Sequence, residues 1–316
     1  MTRVFVYEDV CATWAGRDCA SRPALSLLAE GRAMLAAVTE DLRTVPAIDV
    51  LVPGSPAFPE LAARADYTLV IAPECGGRLE HLCREVIRVG GRLLGPSPDA
   101  VRLTADKLEL ASHWEQHRVS TPATWPLGDQ PVGMSVVIKP RVGAGSQATL
   151  LTVGTGLQAW PVPTVEWAGQ LIAQEYIPGF AASVAFLIGP HTRTPLIPCQ
   201  QLLSDDGRFQ YRGGRLPITP DLADRAVRIA TPAVACVSGL AGYVGVDVVL
   251  GDDGRDWAIE INPRLTTSYV GLRALARFNL TEAMFAAVSG ERLPAFEWRT
   301  DAIAFTADGR VSSCGT

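Results

Sequence analysis

The sequence predicts a mixed fold, α/β at its start and α+β beyond, and three observations carry that expectation. Strand-like and helix-like periods alternate through the first hundred residues. β-type segments crowd the stretch from Met134 to Leu203. Two alternating apolar runs meet at a turn between residues 242 and 262, the pattern of a hairpin.

The alternation begins with "RVFVYE" (3–8), a short β-rich run. "ALSLLAEGRAMLAAVTEDL" (24–42) repeats apolar residues at helical spacing, and "YTLVIAPE" (67–74) reads as a buried strand. Strands separated by helices pair in parallel, so a small parallel sheet is expected here. No GxGxxG follows the first strand, which removes the main support for a dinucleotide site. "LLGPSPDAV" (93–101) reads as the exit from this region. A helix, "DKLELASHWEQH" (106–117), and a loop, "STPATWPLGDQPVG" (120–133), come next. The β-type segments are "MSVVIKP", "ATLLTV", "QLIAQEYI", "ASVAFLI" and "TPLIPCQQLL". A further helix is expected from "ITPDLADRAVRIA", with Thr219 placed to cap it, Pro220 in its first turn and Pro232 ending or kinking it.

Composition limits the functional classes. At 316 residues, 48% hydrophobic and 19% charged, the chain has room for two or three globular domains. A net charge of −5 offers no global attraction to nucleic acid or to an anionic membrane. No apolar run approaches the roughly 18 residues of a membrane span. "MTRVFVYEDV" lacks the features of a signal peptide, so a cytoplasmic location is expected. Seven cysteines without CxxC spacing fit neither a zinc ribbon nor a disulfide framework. His113 and His117 stand at i, i+4, a spacing that can hold a metal, but no second ligand cluster accompanies them in sequence. A plain solvent-facing helix is the preferred reading.

The hairpin carries the acids. Pairing Leu250 with Trp257, Val248 with Ile259 and Val246 with Ile261 gives an entirely apolar face. That register sets Asp247 across from Glu260 on the other face, with Asn262 two residues on. Opposed carboxylates repel unless a cation lies between them, and these oxygen donors suit Mg²⁺. The plain alternative is an edge hairpin whose polar face meets solvent. Arg264, just after the strand-ending Pro263, is placed to clamp a transferring phosphoryl group beside such an ion.

Lysine is rare here: of 28 Lys and Arg residues only Lys107 and Lys139 are lysines. Lys139 ends a β-type run and precedes Gly143, Ala144, Gly145 and Ser146, a loop whose backbone can approach phosphates closely. "RVGAGSQ" is not a Walker A loop, because the lysine precedes the glycines.

Taken together, "ADKLEL", "VIKPRVGAGS", "QEYIPG", Asp247 on a strand and "EINPR" resemble the ATP-grasp superfamily across residues 100 to 275. The resemblance implies an N-terminal small parallel α/β domain (1–101), a central lid domain (102–177) and a C-terminal domain with a mainly antiparallel sheet and the metal and substrate site (178–316). It implies that Lys107 and Lys139 contact ATP phosphates under a lid of Gly143–Ser146. Glu175, Tyr176 and Ile177 would line the adenine. Asp247, Glu260 and Asn262 would hold Mg²⁺, for which Mn²⁺ can substitute, and Arg264 and Lys139 would act on the transferring phosphate. Ala181 and Ala182 occupy the places where many members carry a ribose-binding acid.

A narrower resemblance, to the tyramine–glutamate ligase branch that serves methanofuran-type cofactor synthesis, rests on "VYEDV", "LVIAPECGGRL", "LGPSPDAVRLTADK" and "EINPRLTTSYVGLR". It implies a ligase that joins a small carboxylic acid such as glutamate to an amine such as tyramine, with no nucleic-acid or membrane partner. A homodimer is compatible with it. Candidate substrate contacts are Arg212 and Arg215 for an α-carboxylate, Ser268, Tyr269, and Glu8 for an amino group. Two alternatives stay open: another ATP-grasp enzyme, such as a peptide ligase or kinase, and a non-catalytic nucleotide sensor.

Overall fold

The computed structural model describes residues 1–14, 22–53, 57–153 and 171–314. The chain starts with β1 (Thr2–Glu8), α1 (Asp9–Trp14), α2 (Arg22–Thr44), β2 (Ile48–Leu51), α3 (Phe58–Arg64) and β3 (Tyr67–Ile71). The strands pair in parallel in the order β2-β1-β3, as the alternation predicts. β1 is buried from Val4 to Glu8, as a strand covered on both faces must be. α4 (Arg78–Arg88) and α5 (Pro98–Ala105) follow. The segment expected as an exit thus holds a helix start: the Ser97 hydroxyl accepts from Ala100 N, and Pro98 fills the first helical position.

α6 (Lys107–Gln116) is capped by Asp106, which accepts from the N–H groups of Leu108 and Glu109. A second sheet comprises β4 (Thr124–Pro126), β5 (Ser135–Pro140), β6 (Leu150–Val153) and β7 (Leu171–Glu175), antiparallel in the order β4-β7-β5-β6. β4 lies in the expected loop 120–133. Its Pro126 is tolerable because β4 is an edge strand. Among the described residues, the apolar cluster of this sheet is small, built on Val136, Ile138, Leu171 and Ala173 with Trp125, Leu127 and Met134 packed against it.

The third sheet is the largest. It contains β8 (Gly179–Gly189), β9 (Thr192–Pro195), β10 (Cys199–Leu203) and β11 (Tyr211–Leu216). After α7 (Pro220–Ala235) it continues with β12 (Gly242–Gly251) and β13 (Asp256–Asn262). α8 (Ser268–Leu275), α9 (Leu280–Ser289), β14 (Ile303–Thr306) and β15 (Val311–Ser313) complete the chain. Every pairing in it is antiparallel, in the order β13-β12-β8-β10-β11-β14-β15, with β9 beside β8.

α7 departs from expectation twice. Thr219 stands at the N-cap, but its side chain makes no capping bond. The helix also runs past Pro232 to Ala235. Burial of Ala230, Ala233 and Val234 against the sheet outweighs the one backbone bond that proline removes.

Two large cores flank the third sheet. On one face Val184, Phe186, Val244, Val246 and Ile261 pack against Ala226 and Val234 of α7 and Trp114 of α6. On the other, Ala185, Leu187 and Tyr243 join Leu272 of α8 and Met284 of α9. They also join Val4, Val6, Val38 and Leu42 of the first α/β layer. The first sheet therefore shares its core with the third.

Candidate active site

Between the second and third sheets lies a cleft of about 920 Å³, walled on one side by α2 and the start of α6. The Asp106 cap fixes its first element. The same carboxylate accepts from Arg141 Nε at 2.8 Å, and Lys107 N donates to Arg141 O, so the start of α6 is tied to the end of β5. Lys107 and Lys139 consequently enter the cleft side by side. Lys107 Nζ donates to the Gly143 carbonyl at 2.9 Å and stands 3.4 Å from Glu260 Oε2. Lys139 Nζ donates to Gln174 Oε1 at 2.8 Å. Burial pushes the Lys139 ammonium down to about 8, while Glu260 pulls it upward.

β12 and β13 bring the oxygen donors together. Val246 pairs with Ile261 and Asp247 with Glu260, as the sequence predicts. Beyond Asp247 the register differs: a bulge pairs Val248 with Ala258 and Val249 with Trp257, so Leu250 no longer faces Trp257. The extra residue lets Ala258 and Ile261 both reach the core while Ile259 and Glu260 both line the cleft. Asn262 Nδ2 donates to Asp247 Oδ2 at 3.2 Å. Burial, then the charge of Glu260, holds the Asp247 carboxyl well above the usual carboxylate range. Burial alone would raise Glu260 too, but Lys107 and Lys139 hold it below that range. Opposed carboxylates strained in this way, with an amide oxygen beside them, are a donor set that suits a hard divalent cation.

Arg264 lines the same cleft and is gripped from behind, its Nε and Nη2 donating to Glu74 Oε1 and Oε2 at 2.9 and 3.2 Å. Burial works against its charge, but Glu74, with Glu30 and Glu260 further off, keeps it protonated.

The loop Gly143–Ser146 forms the roof. Gly145 has φ +71°, and a Cβ there would come 3.0 Å from Leu27 Cδ2 of α2, so glycine permits the close approach. On the other side Leu151 N of β6 donates to the Gly207 carbonyl, in the turn between β10 and β11, at 2.7 Å. Glu175, Tyr176 and Ile177 also line the cleft. The N–H groups of the first two are engaged by the carbonyls of Ala123 and Ser135. Of the two alanines, Ala181 lines the cleft and Ala182 is fully buried.

The candidate substrate contacts divide. Arg212 and Ser268 line the cleft; Arg215, Tyr269 and Glu8 do not. Arg212 is the extra residue of a bulge where β11 pairs with β10, and Arg215 is exposed outside the cleft, so they do not act as a pair. Tyr269 instead donates its hydroxyl to Asp41 Oδ2 at 2.5 Å, joining α8 to α2. Glu8 is 2% exposed, accepts from Cys11 N at 2.6 Å and lies against Gly31, serving the start of α1. Ser268 shares its hydroxyl with Tyr243 and Thr266, both at 2.8 Å.

Sequence reasoning missed Gln174, Glu74 and Glu30. Glu30 lines the cleft, accepts from Thr267 Oγ1 at 3.4 Å, and has its carboxyl raised by burial against the pull of Arg264. Its signal was present: in "LLAEGRAML" an acid sits on the apolar face, three residues from Leu27 and four from Met34.

The ATP-grasp domain family matches residues 104–268, and the pre-ATP-grasp domain family matches residues 32–101. The chain is 31% identical over 208 residues to a tyramine–L-glutamate ligase of Methanocaldococcus jannaschii, covering 66% of this chain and 58% of that protein. It is 25% identical over 191 residues to a D-alanine–D-alanine ligase of Bordetella petrii, covering 53% and 57%. The chain thus spans less than two thirds of the length of these relatives. Among solved structures, an ATP-grasp superfamily protein from Archaeoglobus fulgidus aligns with a TM-score of 0.75 and 25% identity, over 97% of this chain and 92% of that one. N5-carboxyaminoimidazole ribonucleotide synthetase from Thermotoga maritima aligns with a TM-score of 0.67 at 16% identity, over 96% and 80%, a likeness of fold.

Proposed function

The chain belongs to the ATP-grasp family, and on that premise we propose that it is an ATP- and Mg²⁺-dependent carboxylate–amine ligase. The observation that carries this is the meeting of Lys107, Lys139, Asp247, Glu260 and Asn262 in one roofed cleft. Its working parts are an N-terminal region (1–101), a lid region (102–177) and a C-terminal region (178–316). With six of its cysteines free, it would work in the cytoplasm.

In this reading Lys107 and Lys139 bind the ATP phosphates, and Gly143–Ser146 cover them. Glu175, Tyr176 and Ile177 line the adenine. Asp247, Glu260 and Asn262 would hold Mg²⁺, or Mn²⁺ in its place, which neutralises charge developing on the phosphates. The substrate carboxylate attacks the γ-phosphorus, the bond to the β-phosphate oxygen breaks, and ADP leaves with an acyl phosphate formed. Arg264, held charged and oriented by Glu74, faces the transferring group. An amine then attacks the acyl carbon, loses a proton, and expels phosphate to give an amide. The roof excludes water that would hydrolyse the acyl phosphate. Arg212 and Ser268 are the substrate contacts kept from the sequence reading, and the relatives' names make glutamate and tyramine the first pair to try.

ADP release with Mg·ATP, measured across a matrix of acids and amines with product masses, tests this. Release that needs both partners, with a product equal to their sum minus water, supports the ligase. Phosphorylation of a single substrate would make the protein a kinase. ATP binding without turnover on any mixture would favour a non-catalytic binder, for which the apolar Ala181 in the cleft is the motivating observation.

A further inference from the structure

The histidine pair of α6 does not stand alone. His113, His117 and Cys236 each present a ligand atom within 4.8 Å of the other two, although Cys236 lies 119 residues beyond His117. The sequence could not show this third donor, because it arrives at the C-cap of α7, packed beside α6. The seam between the helices is fixed independently by Trp114 Nε1, which donates to the Ala233 carbonyl at 3.1 Å.

Both imidazoles are already oriented. His113 Nε2 lies 3.0 Å from the Cys236 carbonyl and His117 Nδ1 lies 2.8 Å from the His113 carbonyl. A carbonyl only accepts, so each of these nitrogens is the N–H donor, and the other nitrogen of each neutral ring keeps its lone pair. Backbone carbonyls that fix tautomer and ring angle in this way are what surrounds histidine at metal centres. The ring centroids lie 4.3 Å apart with the planes tilted by 35°, and His117 is at the exposed edge.

We infer that His113, His117 and Cys236 form a site for a borderline-soft divalent ion of the zinc class, separate from the ATP cleft. Two imidazole nitrogens and one thiolate suit such an ion and do not suit Mg²⁺. Three protein ligands leave a fourth, solvent-facing position for water. On binding, the Cys236 thiol gives its proton to solvent as the S–metal bond forms. The ion joins the end of α6, whose other end carries Lys107, to the end of α7, so its effect falls on stability rather than on the chemistry of the cleft.

Titrating the full chain with Co²⁺ while recording the visible spectrum reads the site directly. The expected result is one Co²⁺ per chain with thiolate-to-cobalt absorption, displaced by Zn²⁺, absent in Cys236→Ser and weakened or lost in His117→Ala. Zn²⁺ should raise the melting temperature of the native chain by a few degrees and leave that of Cys236→Ser unmoved. Cys236→Ser without metal should melt near the native value, showing that the variant is folded. The spectrum should persist in Glu260→Gln, which separates this site from the proposed Mg²⁺ donors. No thiolate absorption in the native chain, or its persistence in Cys236→Ser, overturns the inference.

Discussion

Lys139 shows at the residue scale why a chain so rich in arginine keeps a lysine. Its side chain is buried, its one hydrogen-bond acceptor among the described residues is Gln174, and its neighbour is another cation, Lys107. A guanidinium there would bring five fixed donors to a place that satisfies one, and its fork would reach past the point an ammonium occupies. Lys139→Arg should raise the KM for ATP at least about tenfold while keeping the charge, as initial-rate kinetics would show. Unchanged kinetics would remove the phosphate role. The pH dependence follows from its lowered value. An unfolded lysine keeps its proton to about 10.5, whereas Lys139 folded releases it near 8, so between these values the unfolded chain binds more protons and stability rises with pH. ATP affinity should move the opposite way, weakening above pH 8 as the ammonium discharges, and Lys139→Arg should flatten that fall. Isothermal titration from pH 7 to 9.5 would check both. Glu260→Gln keeps the shape of the cleft but removes a charge that two lysines face; kcat/KM should drop at least about 100-fold and no longer respond to Mg²⁺. Native-like rates would refute its assignment. These residues were legible because short motifs carry them. Glu74 and Cys236 were not, because each reaches its partners from far along the chain, Glu74 meeting Arg264 across 190 residues.

At the scale of elements, periodicity located most strands and helices, and the misses have local causes. β4 is three residues long, an edge strand paired with β7, so it is too short to carry a period of its own. The bulge beside Asp247 inserts one residue in β13, which no alternation rule anticipates. α7 passes Pro232 because packing, not propensity, decides it. Packing also makes a prediction at Gly189, where β8 meets α9. A Cβ there would lie 1.7 Å from the Ala287 carbonyl oxygen. Since both atoms belong to regular elements, Gly189→Ala should force β8 and α9 apart and cost about 1–3 kcal/mol or more in chemical denaturation. A variant as stable as the native chain would show that this contact yields freely.

Across the whole molecule, the first sheet and the third are one unit. Val4, Val6 and Val38 share a core with Leu187, Tyr243 and Met284, and the ion pair of Glu74 with Arg264 crosses the same boundary. The sequence separates these regions cleanly, since apolar periods show that a face is buried but not against what. Glu74→Gln leaves Arg264 buried with half its partner; we expect a loss of about 3 kcal/mol in stability and a lower kcat, measured by denaturant melts and ADP release. A fall in kcat with the melt unchanged would mean that Glu74 only aims the arginine.

The second sheet stands outside that unit, with its own small apolar cluster and its roof resting on α2 through Gly145 and on the β10–β11 turn through Leu151. These two contacts hold the Gly143–Ser146 loop close over a cleft that is still open to solvent. In the proposed ligase, a sheet anchored through so few contacts can swing about them, so loosening either contact should change how fast products depart while leaving the donors beneath untouched.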